Sequence, residues 1–460
     1  MIELHNADCL VHMATMEANS VDAIVSDPPY GLSFMGKDWD HGVPGKHFWE
    51  EALRVAKPGA YILAFGGTRT FHRLAVAIED AGWEIRDTLM WVYGSGFPKS
   101  HNVAIGIDKA NGAPPRGKAL VVAGRGERED LQGSDANPRP QELEPYTPAT
   151  EAAKQWYGWG TALKPAWEPI IMARKPLVGT VAQNVQAHGT GAINVDGCRV
   201  ETPDKVGASG RWGFTAGKGW NGSTTESRTQ ATFEHTQGRW PANLIHDGSD
   251  EVVKHFPESD PATASARGGT NPNPMDWGNA RPDSGVVKAH DDNGGSAARF
   301  FYCAKASKAD RDEGCDGMEE REKQTRNSYG DQSGYNCPDG ANGQGNKGTS
   351  IAHNHHPTVK PTALMRYLCK LVTPPGGTVF DPFMGSGSTG KAAVLEGFSF
   401  VGCDLQPEYV AIASARCEWA KEEHFRENAQ QTLFPTEPPR LFDAPKAAEA
   451  VQLTLDGPAT

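Results

Sequence analysis

Two short stretches of this sequence hold residues that could do chemistry. The first is Ser26-Asp27-Pro28-Pro29-Tyr30-Gly31, which follows the apolar run Val21 to Val25. Proline cannot donate to a sheet ladder, so two in succession end a strand and stiffen its exit. An acid, a rigid elbow and an aromatic ring are then displayed at a strand's carboxyl end, where open α/β sheets gather ligands and catalytic groups. An ordinary strand-terminating turn would use the same residue types. The second stretch runs from Gly377 to Asp404. Thr378, Val379 and Phe380 form a short β-rich run that stops at Asp381-Pro382, and Gly385, Gly387 and Gly390 follow with G-x-G-x-x-G spacing. Glycines so spaced let a turn reach positive φ and let the backbone come close to a ligand. Asp404 lies about 20 residues further on, where an acid would meet a ribose hydroxyl in a βαβ nucleotide site. These features predict a nucleotide-type cofactor without deciding which one.

Such groups need a parallel sheet to position them, and the chain offers its parts in order. Ile2 to Leu4 reads as a strand ending near Asp8, a helix follows to Glu17, and Val21 to Val25 reads as a buried strand. His47 to Val55 is helical, Ala60 to Phe65 a strand, Phe71 to Ala81 an amphipathic helix, and Ile85 to Val92 another strand. This β-α-β-α-β alternation is the signature of a parallel α/β sheet. Residues 111 to 150, rich in Gly, Pro and charge, read as a long loop or lid. Trp156, Tyr157 and Trp159 suit base stacking or core packing, and Glu168 to Ala173 reads as a strand. Later, Thr362 to Val372 reads as a helix with Leu364, Leu368 and Leu371 on one stripe. Lys391 to Glu396 reads as a helix after the glycine turn, Phe398 to Cys403 as a strand, and Tyr409 to His424 as a helix.

Between these halves the character changes. Residues 179 to 350 are rich in Gly, Asn, Ser and Thr with isolated tryptophans, and only Arg299 to Ala304 looks like a strand. Aromatics at that density favour a loop-rich recognition module over a disordered linker, although residues 327 to 350 read as mobile without a ligand. The expected organisation is therefore a catalytic core in two parts, residues 1–178 and 351–425, an insertion at 179–350, and a flexible tail over 426–460.

The formal net charge of −12 announces no global basic field. Nucleic acid would have to be met by Lys and Arg concentrated on one face. Eight cysteines without a C-x-x-C read as reduced thiols. The opening M-I-E-L-H-N-A-D-C-L lacks a basic and then apolar leader, and no run of about 18 apolar residues occurs. The expectation is a soluble cytoplasmic protein with no membrane contact. His353, His355 and His356 lack a cysteine or carboxylate at ligand spacing. They read as solvated loop histidines, and no metal is expected.

Taken together, D-P-P-Y at 27–30, H-P-T-V-K-P at 356–361 and D-P-F-M-G-S-G-S-T-G at 381–390 resemble the motifs of β-class amino-methylating DNA methyltransferases. That family uses S-adenosylmethionine to modify adenine N6 or cytosine N4. The resemblance covers about residues 1 to 100, 165 to 178 and 356 to 420. It implies an α/β fold: a doubly wound, Rossmann-like methyltransferase sheet in permuted motif order, with an inserted loop-rich target-recognition domain. Carried over position by position, Asp381, Phe383, Gly385 and Gly387 match the loop that wraps the methionine part of the cofactor. Asp404 matches the acid for the ribose hydroxyls, and Asp8 matches an acid near the adenine side. Thr358 and Lys360 match the segment that closes over the methionine end. Asp27, Pro28, Pro29 and Tyr30 match the catalytic motif. In the insertion, which the resemblance does not reach, Arg211, Lys218, Arg228 and Arg239 are the candidate DNA contacts.

The residue types suit that chemistry independently. An exocyclic amine is a poor nucleophile because its lone pair is delocalised into the ring. Asp27 and the Pro28 carbonyl can accept its two N–H hydrogens and shift electron density back to nitrogen, for in-line attack on a sulfonium methyl. Tyr30 offers a ring for a base turned out of the duplex. Methylation at cytosine C5 needs a thiolate, typically on a Pro-Cys dipeptide, and no cysteine here follows a proline.

The expectation is adenine N6 methylation of a short double-stranded DNA sequence, with cytosine N4 as the alternative. Asp rather than Ser at the first motif position tilts toward adenine within the family. A homodimer is implied by the resemblance and suits a palindromic site. Nothing resembles a nuclease, so the enzyme would be solitary or half of a restriction–modification pair. A dinucleotide oxidoreductase leaves D-P-P-Y and H-P-T-V-K-P unexplained. Intact Asp27 and Tyr30 oppose a silent DNA-binding protein, and an RNA or protein amine is the remaining rival substrate.

Overall fold

The computed structural model describes residues 1–32, 42–96, 100–113, 146–202, 205–207, 234–235, 238–259, 290–291, 294–304, 307, 309–324 and 349–433. Two compact units divide the chain. The larger comprises Met1–Trp91, Glu168–Asp247 and Phe256–Thr460, and the smaller Val92–Trp167 and Gly248–His255. Among the described residues no helix is long and apolar enough to cross a membrane.

The larger unit is built on one sheet of nine strands: β1 (Ile2–Asn6), β2 (Val21–Ser26), β3 (Ala56–Phe65), β4 (Glu84–Val92), β5 (Trp167–Arg174), β6 (Leu244–His246), β7 (Tyr302–Cys303), β8 (Thr378–Asp381) and β9 (Ser399–Asp404). The helices that matter are α1 (Cys9–Thr15), α2 (Lys46–Val55), α3 (Phe71–Asp80), α4 (Val103–Ala110), α5 (Glu151–Gln155), α6 (Val181–His188), α7 (Thr362–Val372), α8 (Ser388–Leu395) and α9 (Pro407–Leu433). In space the strands run β1-β9-β8-β2-β3-β5-β4-β6-β7. The first five are mutually parallel, and β5 returns antiparallel to β3.

Alternation along the strands sorts the core into two layers. Ile24, Ile62, Ala64 and Phe380 face α1, α2 and α3 through Met13, Trp49, Ala52, Leu74 and Ile78, all fully buried or nearly so. Residues of opposite parity such as Phe400 face α8 and α9, where a side chain on Gly390 would meet Phe400 and Cys417 at 2.5 and 2.7 Å. Each large apolar side chain so buried contributes roughly 1.5–3 kcal/mol. The expected doubly wound sheet is present.

Successive strands leave β8 in one direction, through β9, and leave β2 in the other, through β3. The crevice between β8 and β2 is thus the switch point where such sheets bind ligands. Two buried carboxylates lock these strands together. At the start of β2, Asp22 accepts from the Thr378 amide at 2.9 Å and from Lys57 Nζ at 2.6 Å. At the far end Asp381, 1% exposed, accepts from Ser26 Oγ at 2.6 Å, Thr389 Oγ1 at 2.6 Å and the Phe383 amide at 3.0 Å.

The insertion differs from its sequence reading. It lends two strands, β6 and β7, to the far edge of the core sheet, paired in parallel. The expected strand Arg299–Ala304 survives only as Tyr302–Cys303. Its first half lies in a 3-10 turn over Ala297–Phe300, which Ser296 opens by accepting from the Ala298 amide. α6 was not expected, yet it has a full capping box between Thr180 and Gln183. α9 runs on to Leu433, past the expected end at His424. Its last turns carry Arg426 pairs with Glu422 and Glu423, each worth a few tenths of a kcal/mol. The first residues of the flexible tail expected over 426–460 belong to α9, and its remainder from 434 onward, like most of the 327–350 segment read as mobile, lies outside the described residues.

In the smaller unit, Asp108 of α4 accepts from Tyr146 OH, the Ala149 amide and Thr150. Burial pushes its carboxyl up, but these donors prevail and bring it down to about 2. Of residues 111–150 the structure describes only 111–113 and 146–150. Trp156, Tyr157 and Trp159 are 40%, 55% and 60% exposed, which removes the core-packing reading.

Burial pushes the Asp381 carboxyl from 3.8 to about 6, against the pull of its three donors. Between those values the folded chain keeps a proton that the unfolded chain releases. Its contribution to stability is full below about pH 4 and is lost as pH rises through 6. Asp381→Asn has no proton to lose. Urea unfolding should therefore find the gap between wild type and variant widest near pH 4 and narrowing toward pH 7. A gap independent of pH would mean that Asp381 is ionised throughout.

Candidate active site

The exit of β2 carries Asp27, Pro28, Pro29 and Tyr30. The two prolines cannot extend the ladder, and Thr70 Oγ1 donates to the Tyr30 carbonyl at 2.7 Å, fixing the loop against the turn before α3. Tyr30 OH donates to Asp27 Oδ1 at 2.7 Å and lies 3.2 Å from Glu168 Oε2. Lys360 Nζ sits among all three, 3.2 Å from Asp27 Oδ1, 3.0 Å from Tyr30 OH and 2.8 Å from Glu168 Oε2. Its ammonium also lies 4.7 Å above the Phe65 ring at the end of β3. Lys360 is only 10% exposed. Burial pushes its pKa down, but the charges of Asp27 and Glu168 outweigh burial and hold the ammonium protonated. Burial and then the two carboxylates push Tyr30 well above the usual phenol range, so it stays a donor. Among the described residues nothing bonds Asp27 Oδ2 or the Pro28 carbonyl.

The glycine turn joins β8 to α8 beside this cluster. Gly385 and Gly387 have φ of +53° and +73°, the left-handed region where other residues are strained. Gly390 is not part of that turn geometry. It lies inside α8, where only a hydrogen fits against Phe400 and Cys417. Asp404, at the end of β9, accepts from the Gly385 amide at 2.9 Å and from the Gln406 amide at 2.8 Å, one on each oxygen. Burial raises its pKa. Just past the end of the neighbouring strand β1, Asp8 caps α1, accepting from the Leu10 and Val11 amides, and the β1–β9 register brings Asn6 opposite Asp404. Phe383 packs 6.0 and 6.2 Å from Phe48 and Trp49. Two acids, a tight glycine turn and an aromatic wall therefore meet at neighbouring strand ends, an acceptor set suited to a nucleoside with vicinal hydroxyls.

The segment before α7 is held from outside. Arg311 Nη1 donates to the His356 carbonyl at 2.7 Å, and Asp312 Oδ1 accepts from the Asn354 amide. His356 is buried rather than solvated. It lies against Gly385 and Tyr409, its Nδ1 bonds the Thr358 carbonyl, and burial brings its pKa down to about 4. Thr358 is exposed. Among the described residues no group of three His, Cys, Asp or Glu could hold a metal.

The structure thus gathers Asp27, Pro28, Tyr30 and Lys360 in one cluster, and Asp381, Phe383, Gly385, Gly387, Asp404 and Asp8 around the adjoining turn. Arg211, Lys218 and Arg228 lie outside the described residues. Arg239 pairs through its backbone with Val200, and its guanidinium covers the Phe300 ring at 4.3 Å. Sequence reasoning missed Glu168, and also missed two buried cations. Arg416 reaches from α9 to Ser386 and Ser388 of the turn, and Lys391 pairs with Glu313 at 2.5 Å. Glu168 had one usable signal: it is an acid before a proline that abuts an apolar strand run, as are Asp27 and Asp381.

Comparison with known proteins fits this geometry. Over 238 residues, 42% of this chain and 64% of the other, the sequence is 24% identical to the Type II methyltransferase M.HindIII of Haemophilus influenzae. Over 68 residues, 15% of this chain and 23% of the other, it is 37% identical to the DNA adenine methyltransferase YhdJ of Escherichia coli. Over 67 residues, 15% and 25%, it is 42% identical to the Type II methyltransferase M2.DpnII of Streptococcus pneumoniae. The chain therefore spans less than two thirds of the length of these curated relatives. The crystal structure of an M1.HpyAVI–SAM complex aligns at 14% identity and a TM-score of 0.34, covering 90% of this chain and 100% of the other, too slight a likeness to support an assignment. The model of the N6/N4 DNA methylase family matches residues 21–415, which take in both the D-P-P-Y loop and the glycine turn, and the chain belongs to that family.

Proposed function

We propose that this chain transfers a methyl group from S-adenosylmethionine to adenine N6 within a short sequence of double-stranded DNA. One observation carries the reading. Asp27 has one oxygen committed to Tyr30 and Lys360, while among the described residues nothing bonds the other or the proline-locked Pro28 carbonyl beside it, at the sheet's switch point.

S-adenosylmethionine supplies a methyl group on a sulfonium, and the residues around the turn fit it. Asp404 keeps lone pairs beyond those given to Gly385 and Gln406, suited to ribose hydroxyls. Phe383 with Phe48 offers an apolar wall, and Asp8 would serve the adenine end. Asp381 supports this loop from beneath, since all three of its bonds go to protein donors. On the substrate side, Asp27 Oδ2 and the Pro28 carbonyl accept the two amine hydrogens and localise the nitrogen lone pair for attack. A base reaches them by leaving the stack, and the Tyr30 ring receives it. Asp27 takes up the proton that the amine loses.

Both amines of the family need these same acceptors. Aspartate at position 27 supports adenine, as does the identity of 37% with a protein named as a DNA adenine methyltransferase. A homodimer on a palindromic site, action in the cytoplasm, and DNA contact through the insertion complete the proposal.

Two variants test the division of labour. Asp27→Ala should lower labelled-methyl incorporation into duplex DNA by roughly 1000-fold or more while calorimetric S-adenosylmethionine affinity stays near wild type. Asp404→Ala should weaken that affinity by roughly 10- to 100-fold, the loss of charge-assisted hydrogen bonds. Loss of cofactor affinity in Asp27→Ala would contradict the assignment.

A further inference from the structure

Glu168 belongs to none of the three motifs that carry the family resemblance, yet it completes the cluster. β5 runs antiparallel to β3, so its first residues emerge at the same sheet edge as Asp27, and the Gly66 amide bonds the Pro169 carbonyl to fix them there. We propose that Glu168 is a positioning residue for methyl transfer, acting through Lys360 and Tyr30 to set the direction and charge of Asp27. The inference rests on the function proposed above.

The geometry gives the reason. Glu168 Oε2 is the nearest oxygen to Lys360 Nζ, at 2.8 Å against 3.2 Å for Asp27 Oδ1, and it is also 3.2 Å from Tyr30 OH. It therefore shares the ammonium and holds both Lys360 and the phenol against one side of Asp27. That leaves Oδ2 without a bond among the described residues. Sharing also keeps Asp27 a strong acceptor, because a lysine paired with Asp27 alone would draw off more of its charge. The titratable groups that face Glu168 are Asp27 and Tyr30 from the β2 exit and Lys360 from the segment before α7. Asp381 adds a further carboxyl near Asp27.

Glu168→Gln keeps the shape and an acceptor oxygen but removes the charge. We expect kcat on duplex DNA to fall by about 100-fold, with KM for DNA and the S-adenosylmethionine affinity within about threefold of wild type. Glu168→Asp should recover part of the rate. In cofactor-free protein labelled with ¹³Cζ-tyrosine, the Tyr30 signal, identified by its absence in Tyr30→Phe, should shift in Glu168→Gln. Wild-type kcat would overturn the proposal, and so would a lower kcat with an unmoved Tyr30 signal. The spectroscopic readout needs no substrate. Inactivity of the wild type on DNA would therefore count against the proposed function, leaving the network itself still under test.

Discussion

One buried carboxylate holds the two ends of this chain's chemistry together. Asp381 reaches from the end of β8 to Ser26, the residue before Asp27, across 355 positions of sequence. It also fixes Thr389 in the first turn of α8 and the Phe383 amide in the glycine turn. Its three donors come from the exit of β2, the turn and the helix that follows. Without that junction the catalytic loop and the turn would each keep their local shape and lose their relation to one another. Burial raises the carboxyl's pKa, so the folded state gives up some stability at neutral pH to keep the junction polar. A hydrophobic pair at these positions would bury as well but would not fix direction.

The charged cluster above the junction follows from similar arithmetic. A single carboxylate about 3 Å from an ammonium gives roughly 5 kcal/mol of attraction at the effective dielectric of a partly buried site. Removing the ammonium from water costs several kcal/mol. One partner would about break even, whereas two win, and Lys360 has two in Asp27 and Glu168. The arrangement sets two carboxylates against one ammonium, beside an oxygen that no described residue bonds. That is the polarity needed to accept amine hydrogens.

Most of the core was legible because its signals are local. Asp27-Pro28-Pro29-Tyr30 and the Gly385–Gly387 turn announce themselves within a few residues, and the strands around them are long and apolar enough to read. What could not be read is what sheet topology brings together. Glu168 lies far from Asp27 in sequence and meets it only because β5 turns back beside β3. Lys360 was legible as part of H-P-T-V-K-P, but its partners were not. The pattern of three glycines suggested one role and conceals two, since Gly387 serves the backbone and Gly390 serves packing. In the insertion, β6 and β7 have only three and two residues. Strands that short have no period to detect, and their pairing is decided by the core edge they join.

Which atom receives the methyl group can be measured directly. The protein is incubated with duplex DNA of mixed sequence and S-adenosylmethionine carrying a labelled methyl group, and the digested nucleosides are identified by mass spectrometry. The account predicts label in N6-methyladenine. Label in N4-methylcytosine would contradict the base assignment while keeping the chemistry of Asp27 and Pro28. No labelled nucleoside from a protein that binds the cofactor would contradict the account as a whole.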